Sequence, residues 1–125
     1  MLLIYQNTNE PIYKQIAKQI KEEILQGKLQ DGDLLPSIRN LAKELRISVI
    51  TTTKAYEELE SQRLIQAVPG KGYYVHQSNK EFLQEQYLQK IEELLMEALE
   101  CGKSAGITPT EIGKMLEVLI TEKHN

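Results

Sequence analysis

The sequence predicts a mainly α-helical fold with one small β-hairpin, on three observations. Five segments carry apolar residues at the three- and four-residue spacing of an amphipathic helix. Two short apolar runs near the middle of the chain flank a tip that contains proline and glycine, a pattern typical of a hairpin. A polar break, SNKEF, then separates three helices and the hairpin from the last two helices.

The first helix is predicted over residues 11–26. Pro11 suits its first turn, and Gly27 suits its end. Its apolar stripe consists of four isoleucines one turn apart: Ile12, Ile16, Ile20 and Ile24. The following QDGDLLP is predicted to be a turn.

A short second helix is predicted in PSIRNLAKELRI, with Ser37 as its cap. Its inward-facing residues are predicted to be Ile38, Leu41, Ala42 and Leu45. Only Arg46 and Ile47 separate it from a third helix, which Ser48 caps and which runs to about residue 62. Strands at 64–68 and 73–75 follow. Two helices joined by a tight turn, then a hairpin, predict a winged helix-turn-helix.

The tail is predicted to be a helical hairpin. One helix runs from about residue 80 to 100 and is closed by Gly102, and another begins at the capping box TPTE. Their apolar stripes comprise Tyr87, Ile91, Leu94, Leu95 and Ala98, then Ile112, Met115, Leu116, Leu119 and Ile120. A hairpin of about 45 residues cannot bury both stripes alone. We therefore expect two domains, the winged helix-turn-helix at 1–77 and a dimerisation domain at 78–125 that pairs with a second copy.

The third helix opens on five β-branched residues, Val49 to Thr53, which are poor helix formers. Helical spacing places Thr52, Ala55, Tyr56 and Leu59 on the core face and Ile50, Thr53, Lys54, Glu57 and Ser61 opposite. At the start of such a helix, threonine hydroxyls can contact phosphates or base edges, and valine and isoleucine can contact a thymine methyl. The alternative interpretation is a strand-like remnant, or a helix that merely tolerates its start.

The composition excludes some classes of protein but does not by itself indicate DNA binding. Residues 1–75 carry ten Lys/Arg and nine Asp/Glu, net +1, and residues 76–125 carry five and nine, net −4. Bulk charge alone would not indicate nucleic acid. The start lacks the pattern of a signal peptide and no apolar run is long enough for a membrane span, so we expect a cytoplasmic protein.

The residue pattern predicts no enzyme and no cofactor. His76 and His124 have no metal-ligand spacing, and the single Cys101 lies at the end of an apolar stripe. PGKGYY lacks the spacing of a phosphate-binding loop. We therefore predict no catalytic, cofactor or metal residues.

The motifs LPSIRNLAKEL, ISVITTTKAYEELESQRLI and VPGKGYYV resemble the DNA-binding domain of the GntR family of bacterial transcription regulators. The match runs from Leu35 to Val75, and the short tail resembles the YtrA-type subfamily. The resemblance implies double-stranded DNA as the partner and suggests repression, often of a transporter operon. The two-fold symmetry of the homodimer expected from the tail implies a near-palindromic operator.

The resemblance also implies roles for ten residues. Arg39 would contact the major groove or its phosphates, and Lys71 would lie beside a phosphate with the wing tip at the minor groove. The residues implied to bind DNA are Arg39, Ser48, Val49, Ile50, Thr51, Thr53, Lys54, Gly70, Lys71 and Gly72. The alternatives are that Arg39 is an ordinary solvated helix residue and that Lys71 is a generic charge at a hairpin tip. Both glycines are needed for the geometry of the turn whether or not they contact DNA.

Two departures from the family pattern affect these roles. Relatives often carry Arg or Pro-Asn where this chain has Val49-Ile50, so base readout by a bidentate arginine is not expected there. Arg63 stands where a glycine commonly ends the helix with positive φ, so it either carries strain of about 1 kcal/mol or belongs to a differently built turn.

A protein–protein adaptor and a sensor of an unknown effector ligand remain alternative functions. Salt dependence of DNA binding would distinguish the adaptor, and ligand screening would distinguish the sensor.

Overall fold

The computed structural model describes residues 2, 4, 8–76 and 80–124. Within them lie α1 (Ile12–Leu25), α2 (Ile38–Leu45), α3 (Val49–Ser61), β1 (Ile65–Val68), β2 (Gly72–Val75), α4 (Lys80–Ser104) and α5 (Pro109–His124). The two strands pair antiparallel, with Ile65 opposite Val75 and Val68 opposite Gly72. The predicted fold, mainly α with a winged helix-turn-helix and a helical tail, is confirmed.

The chain divides into two compact units, Met1–Gln84 and Glu85–Asn125. Residue 77, the predicted end of the first domain, lies outside the described residues. Leu83 of α4 is buried and belongs to the core of the first unit, which explains why that unit extends into the start of α4.

The core of the first unit forms where α1, α2 and β1 pack on α3. The isoleucine stripe of α1 supplies Ile16, Ile20 and Ile24 to it, as predicted, whereas Ile12 is half-buried. The predicted core face of α3 is confirmed, since Thr52, Ala55, Tyr56 and Leu59 are each 0% exposed. Burying these side chains removes apolar area from water and fixes α3 among its neighbours.

An arginine in the left-handed conformation follows the end of α2 and the end of α3. Arg46 has φ 57° and Arg63 has φ 60°. The next residue in each case donates its N–H to a carbonyl five residues earlier, Ile47 to Ala42 at 3.0 Å and Leu64 to Leu59 at 3.0 Å. This is the Schellman arrangement, which usually places glycine where the arginines stand. The positive φ considered for Arg63 is therefore present, while that of Arg46 was not expected from the sequence.

The loop before α2 adds a third, short strand-like segment to the hairpin. Leu34 forms a bridge with Tyr74, and Leu35 N–H donates to the Tyr73 carbonyl at 2.9 Å. On the same side Val75 N–H donates to the Asp33 carbonyl at 2.8 Å. The sequence predicted only a turn here, because no alternation of apolar and polar residues marks so short a segment. The added pairing holds the base of the hairpin beside the start of α2.

The second unit consists of most of α4 together with α5. The predicted capping box is confirmed: Thr108 N–H donates to Glu111 Oε2 and Glu111 N–H donates to Thr108 Oγ1, each at 3.2 Å. The predicted end of α4 near Gly102 was wrong, because α4 continues to Ser104 and the left-handed residue after it is Gly106, with φ 75°. A Cβ at Gly102 would lie 2.5 Å from Ile112 Cδ1, so Gly102 serves close packing instead of helix termination.

Candidate nucleic-acid interface

The N-terminus of α3 is closed by the predicted serine cap. Ser48 Oγ accepts a hydrogen bond from Thr51 N–H at 2.9 Å and donates one to Thr51 Oγ1 at 2.8 Å. Thr52 Oγ1, which is buried, donates to the Ser48 carbonyl at 3.1 Å. Such a cap contributes about 1 kcal/mol, enough to offset part of the poor helix propensity of the β-branched residues.

Two aliphatic side chains project from the first turn of α3. Ile50 is 78% exposed and Val49 is 48% exposed. The helical-wheel placement of Ile50 away from the core is therefore confirmed. The outer surface of this helix start is apolar where a recognition helix would meet DNA.

The second turn of α3 carries the other two predicted contact residues. Thr53 Oγ1 donates to the Val49 carbonyl at 2.8 Å, which leaves the oxygen able to accept a further bond. Lys54 Nζ lies 4.6 Å from the centre of the Tyr13 ring of α1, a cation–π contact. This contact was not foreseen, because it depends on how α1 packs against α3.

Arg39 lies in the first turn of α2 and is exposed. Ser37 caps that turn through a 3.1 Å hydrogen bond from Asn40 N–H. The guanidinium of Arg39 forms no hydrogen bond or ion pair with another described residue. The guanidinium is therefore available to an external anion.

The wing tip is a tight turn whose geometry depends on glycine. Lys71 N–H donates to the Val68 carbonyl at 2.9 Å, Pro69 stands second, and Gly70 has φ 78°, as in a type II turn. Gly72 has φ 109°. A Cβ at Gly72 would lie 3.5 Å from Leu34 Cδ1. The turn leaves Lys71 exposed at the tip.

The base of the wing is fixed to α3 by contacts that the sequence did not reveal. Ala67 N–H of β1 donates to Glu60 Oε2 at 3.4 Å. The rings of Tyr56 and Tyr73 meet edge to face, with centres 5.0 Å apart. The pKa of Tyr56 is raised well above its ordinary value, mainly by burial and secondly by the electrostatic influence of Tyr73. The pKa of Tyr73 is also raised, first by burial and then by the charges of Glu60 and Glu57. Both tyrosines therefore stay neutral and pack as part of the scaffold.

Among the described residues, no cluster of three or more potential metal-ligating side chains occurs. In the same part of the chain, no helix has both the length and the apolar character that crossing a bilayer requires.

Comparisons with known proteins agree with this architecture. The model of the family "Bacterial regulatory proteins, gntR family" matches residues 12–75. The HTH-type transcriptional repressor YtrA of Bacillus subtilis is 36% identical over 107 residues, which cover 86% of this chain and 82% of that protein. Since 107 residues are aligned, the similarity to YtrA includes part of the tail.

Solved structures extend the comparison to three dimensions. A GntR family transcriptional regulator from Listeria monocytogenes superposes with a TM-score of 0.73 and 31% identity, covering 89% of this chain and 96% of that one. The DNA-binding domain of AraR, solved in complex with its operator ORX1, superposes with a TM-score of 0.54 and 29% identity, covering 60% and 94%.

The chain belongs to the GntR family of bacterial transcription regulators. It resembles the YtrA-type members in particular, and residues 12–75 form a DNA-binding domain of the GntR type. The prediction that it is a transcription regulator and not an enzyme is confirmed by this membership.

Proposed function

We propose that this protein is a sequence-specific repressor that binds a near-palindromic operator as a homodimer in the cytoplasm. The observation that carries the proposal is the start of α3, an exposed turn with apolar and hydroxyl-bearing side chains on a helix whose opposite face is fully buried, within a GntR-type domain. A helix presented in this way can enter the major groove, since its buried residues lie on the opposite side.

The role proposed for each exposed residue in DNA binding follows from the chemistry of its side chain. Arg39 and Lys71 supply positive charge to phosphates or to the edges of the grooves, and α3 supplies the contacts that select the sequence. The free N–H groups at the α3 N-terminus also favour a phosphate. The proposed DNA-binding residues are Arg39, Ser48, Val49, Ile50, Thr51, Thr53, Lys54, Gly70, Lys71 and Gly72.

The second unit supports the proposal of a homodimer. Thirteen of the seventeen exposed large hydrophobic residues of the described chain lie in Glu85–Asn125. They include Leu94 and Leu95 on α4 and Leu119 and Ile120 on α5, each about half exposed. Exposed apolar side chains in such number within one unit are typical of a protein interface. A second copy is the partner we propose, because it offers the same apolar faces and a two-fold axis.

A two-fold axis would also determine the form of the operator. Two identical α3 helices related by that axis read inverted half-sites, so the site is expected to be near-palindromic. Repression would follow from occupancy, when the bound dimer hinders transcription. The name of the similar Bacillus subtilis protein, a transcriptional repressor, supports that direction, and the family resemblance suggests a transporter operon as the target.

DNA binding is tested by fluorescence anisotropy with duplexes from upstream of the gene and with scrambled duplexes at several salt concentrations. We expect tight binding to one upstream duplex alone, with log K falling by about 0.9 per phosphate contact for each tenfold rise in salt. Equal and weak binding to both would contradict a specific site in this region. Selection from random-sequence DNA would then decide whether any specific site exists.

The dimer is tested by multi-angle light scattering of the full chain. We expect twice the 14.3 kDa of one chain for the wild type and a monomer for Leu119→Glu, which places a charge in the apolar face. Lys18→Glu, an exposed charge change on α1, is the matched control and should remain dimeric. A fragment that ends after Gln84 keeps Leu83 in its core and should be a monomer that binds DNA weakly. If that fragment stays dimeric, the tail is not the dimerisation unit.

A further inference from the structure

The apolar start of α3 lies outside the hydrophobic core. Ile50, at 78% exposure, is the most exposed of the large hydrophobic residues in the described part of the chain, and Val49 beside it is 48% exposed. Neither belongs to the hydrophobic core. A β-branched residue also lowers helix propensity slightly compared with alanine. Ile50 therefore weakens the helix and gains little burial in return, and Val49 gains only part of its burial.

The hydroxyl groups at this helix start are largely engaged within the helix. Ser48 Oγ bonds both the N–H and the Oγ1 of Thr51. Thr53 Oγ1 donates its proton to the Val49 carbonyl. With the Ser48 and Thr53 protons directed into the helix, few donors remain to read a base edge.

Charged groups are also absent from this turn. Residues 48–53 contain no Lys, Arg, Asp or Glu, and the adjacent Lys54 lies over the Tyr13 ring. The bidentate arginine or lysine contact that usually selects guanine is therefore not available from the first turn of α3. What this surface offers to the groove is mainly methyl and methylene groups.

Thymine is the base whose chemistry fits such a surface. In the major groove, guanine, adenine and cytosine present donors and acceptors, while thymine adds an apolar 5-methyl group. A large aliphatic side chain placed over polar base edges would leave them without hydrogen-bond partners, at a cost. Over a thymine methyl it buries apolar surface instead.

We propose that Ile50, with Val49 beside it, reads the 5-methyl group of a thymine, so that each operator half-site carries thymine where the α3 N-terminus enters the major groove. The inference rests on the proposed DNA-binding function and adds the base that the helix selects. Arg39 and Lys71 would supply affinity, and Ile50 would supply discrimination at this base pair.

The experiment compares two versions of one duplex. The full-length wild-type protein first selects a preferred sequence from random DNA, and that duplex is synthesised with thymine or with uracil at every thymine position. Uracil retains base pairing and every hydrogen-bonding group and lacks only the methyl. Dissociation constants are measured by fluorescence anisotropy for the wild type, Ile50→Ala and Phe82→Ala.

For the wild type we expect uracil to weaken binding about fourfold per methyl contact, hence about fifteenfold for two half-sites. Ile50→Ala should bind the thymine duplex more weakly and should distinguish thymine from uracil by less than about twofold. Phe82→Ala removes a side chain of 58% exposure from α4 and should keep the wild-type ratio.

Three results would overturn the inference, and they are distinguishable. A wild-type protein that prefers its selected sequence but binds thymine and uracil duplexes equally would refute methyl readout and leave the regulator function intact. An unchanged thymine-to-uracil ratio in Ile50→Ala would mean that the methyl is read elsewhere. Failure to enrich any sequence from random DNA would overturn the proposed function and this inference together.

Discussion

The hydroxyl group of Tyr56 donates a 2.6 Å hydrogen bond to the carbonyl oxygen of Pro36, twenty residues earlier in the chain. Tyr56 is fully buried on the core face of α3, and Pro36 directly precedes the Ser37 cap of α2. The bond therefore connects α3 to the entrance of the helix that carries Arg39. The two elements proposed to meet DNA are held in register by this partly buried contact.

Removal of this hydroxyl should weaken the fold. Tyr56→Phe leaves the Pro36 carbonyl without its buried partner, and we expect a loss of about 1–2 kcal/mol in the free energy of unfolding. Urea denaturation at neutral pH measures it. Tyr74→Phe is the matched control: Tyr74 is half-buried and its hydroxyl has no hydrogen bond to the described residues, so its stability should equal that of the wild type.

The stability of the protein should fall in alkaline solution partly because of Tyr56. Burial raises the pKa of Tyr56 above its ordinary value of 10.0, so the folded chain keeps the proton where the unfolded chain releases it. The contribution of neutral Tyr56 to the free energy of unfolding is complete below pH 10.0 and is lost as the pH rises beyond that value. Urea unfolding in a series of alkaline buffers should give a shallower decline for Tyr56→Phe than for the wild type. Equal declines would mean that Tyr56 ionises as freely in the folded chain. Tyr73, whose pKa is also raised, should preserve part of the decline.

Replacing Arg39 should affect DNA binding and not folding. Arg39→Ala removes an exposed guanidinium without a partner among the described residues, so the free energy of unfolding should stay within about 0.5 kcal/mol. We expect the affinity for the operator to fall by about 1–3 kcal/mol, which is roughly fivefold to more than a hundredfold. Lys18→Ala on α1 removes the same charge from an exposed position and is the control. An unchanged affinity would remove Arg39 from the interface.

Lys71 at the wing tip should contribute charge and no sequence information. Lys71→Ala should weaken binding to operator and scrambled DNA by the same factor and reduce the salt slope by about 1 for each wing bound. The turn itself should persist, because it depends on Pro69 and on the positive φ of Gly70. Lys103→Ala in the second unit is the charge-matched control. A selective loss on the operator alone would instead assign base readout to the wing.

Gly102 should be essential to the packing of α4 with α5. In Gly102→Ala the new Cβ would lie 2.5 Å from Ile112 Cδ1 and 3.1 Å from the Ile107 carbonyl, and the backbone atom cannot move away freely. We expect a lower thermal midpoint and weaker self-association. Gly113→Ala on α5 is the control, since its Cβ would have no neighbour within 4 Å. There the better helix propensity of alanine should maintain or raise the midpoint. Equal midpoints for the two variants would show that the helices adjust around Gly102.

The sequence by itself determined the helices, their caps and their faces. The predicted caps are formed by Ser37, Ser48 and Thr108, and the predicted core face of α3 between Thr52 and Leu59 is buried. Both features follow from sequence because periodicity and capping depend only on residues within a turn or two. The type II turn of the wing was likewise encoded by Pro69 and Gly70. These local signals also located the exposed start of α3, from which the proposed DNA contacts follow.

Only the tertiary structure decided the features that depend on distant atoms. Arg46 and Arg63 adopt a conformation that favours glycine, because Ile47 and Leu64 pack inward after them and the burial outweighs a local strain of about 1 kcal/mol each. Leu34 joins the hairpin because Tyr74 offers it a free strand edge. Gly102 lies inside α4 and does not end it, and the approach of Ile112 leaves no room there for a side chain. No local pattern encodes such contacts, because each depends on which atoms the rest of the fold brings near.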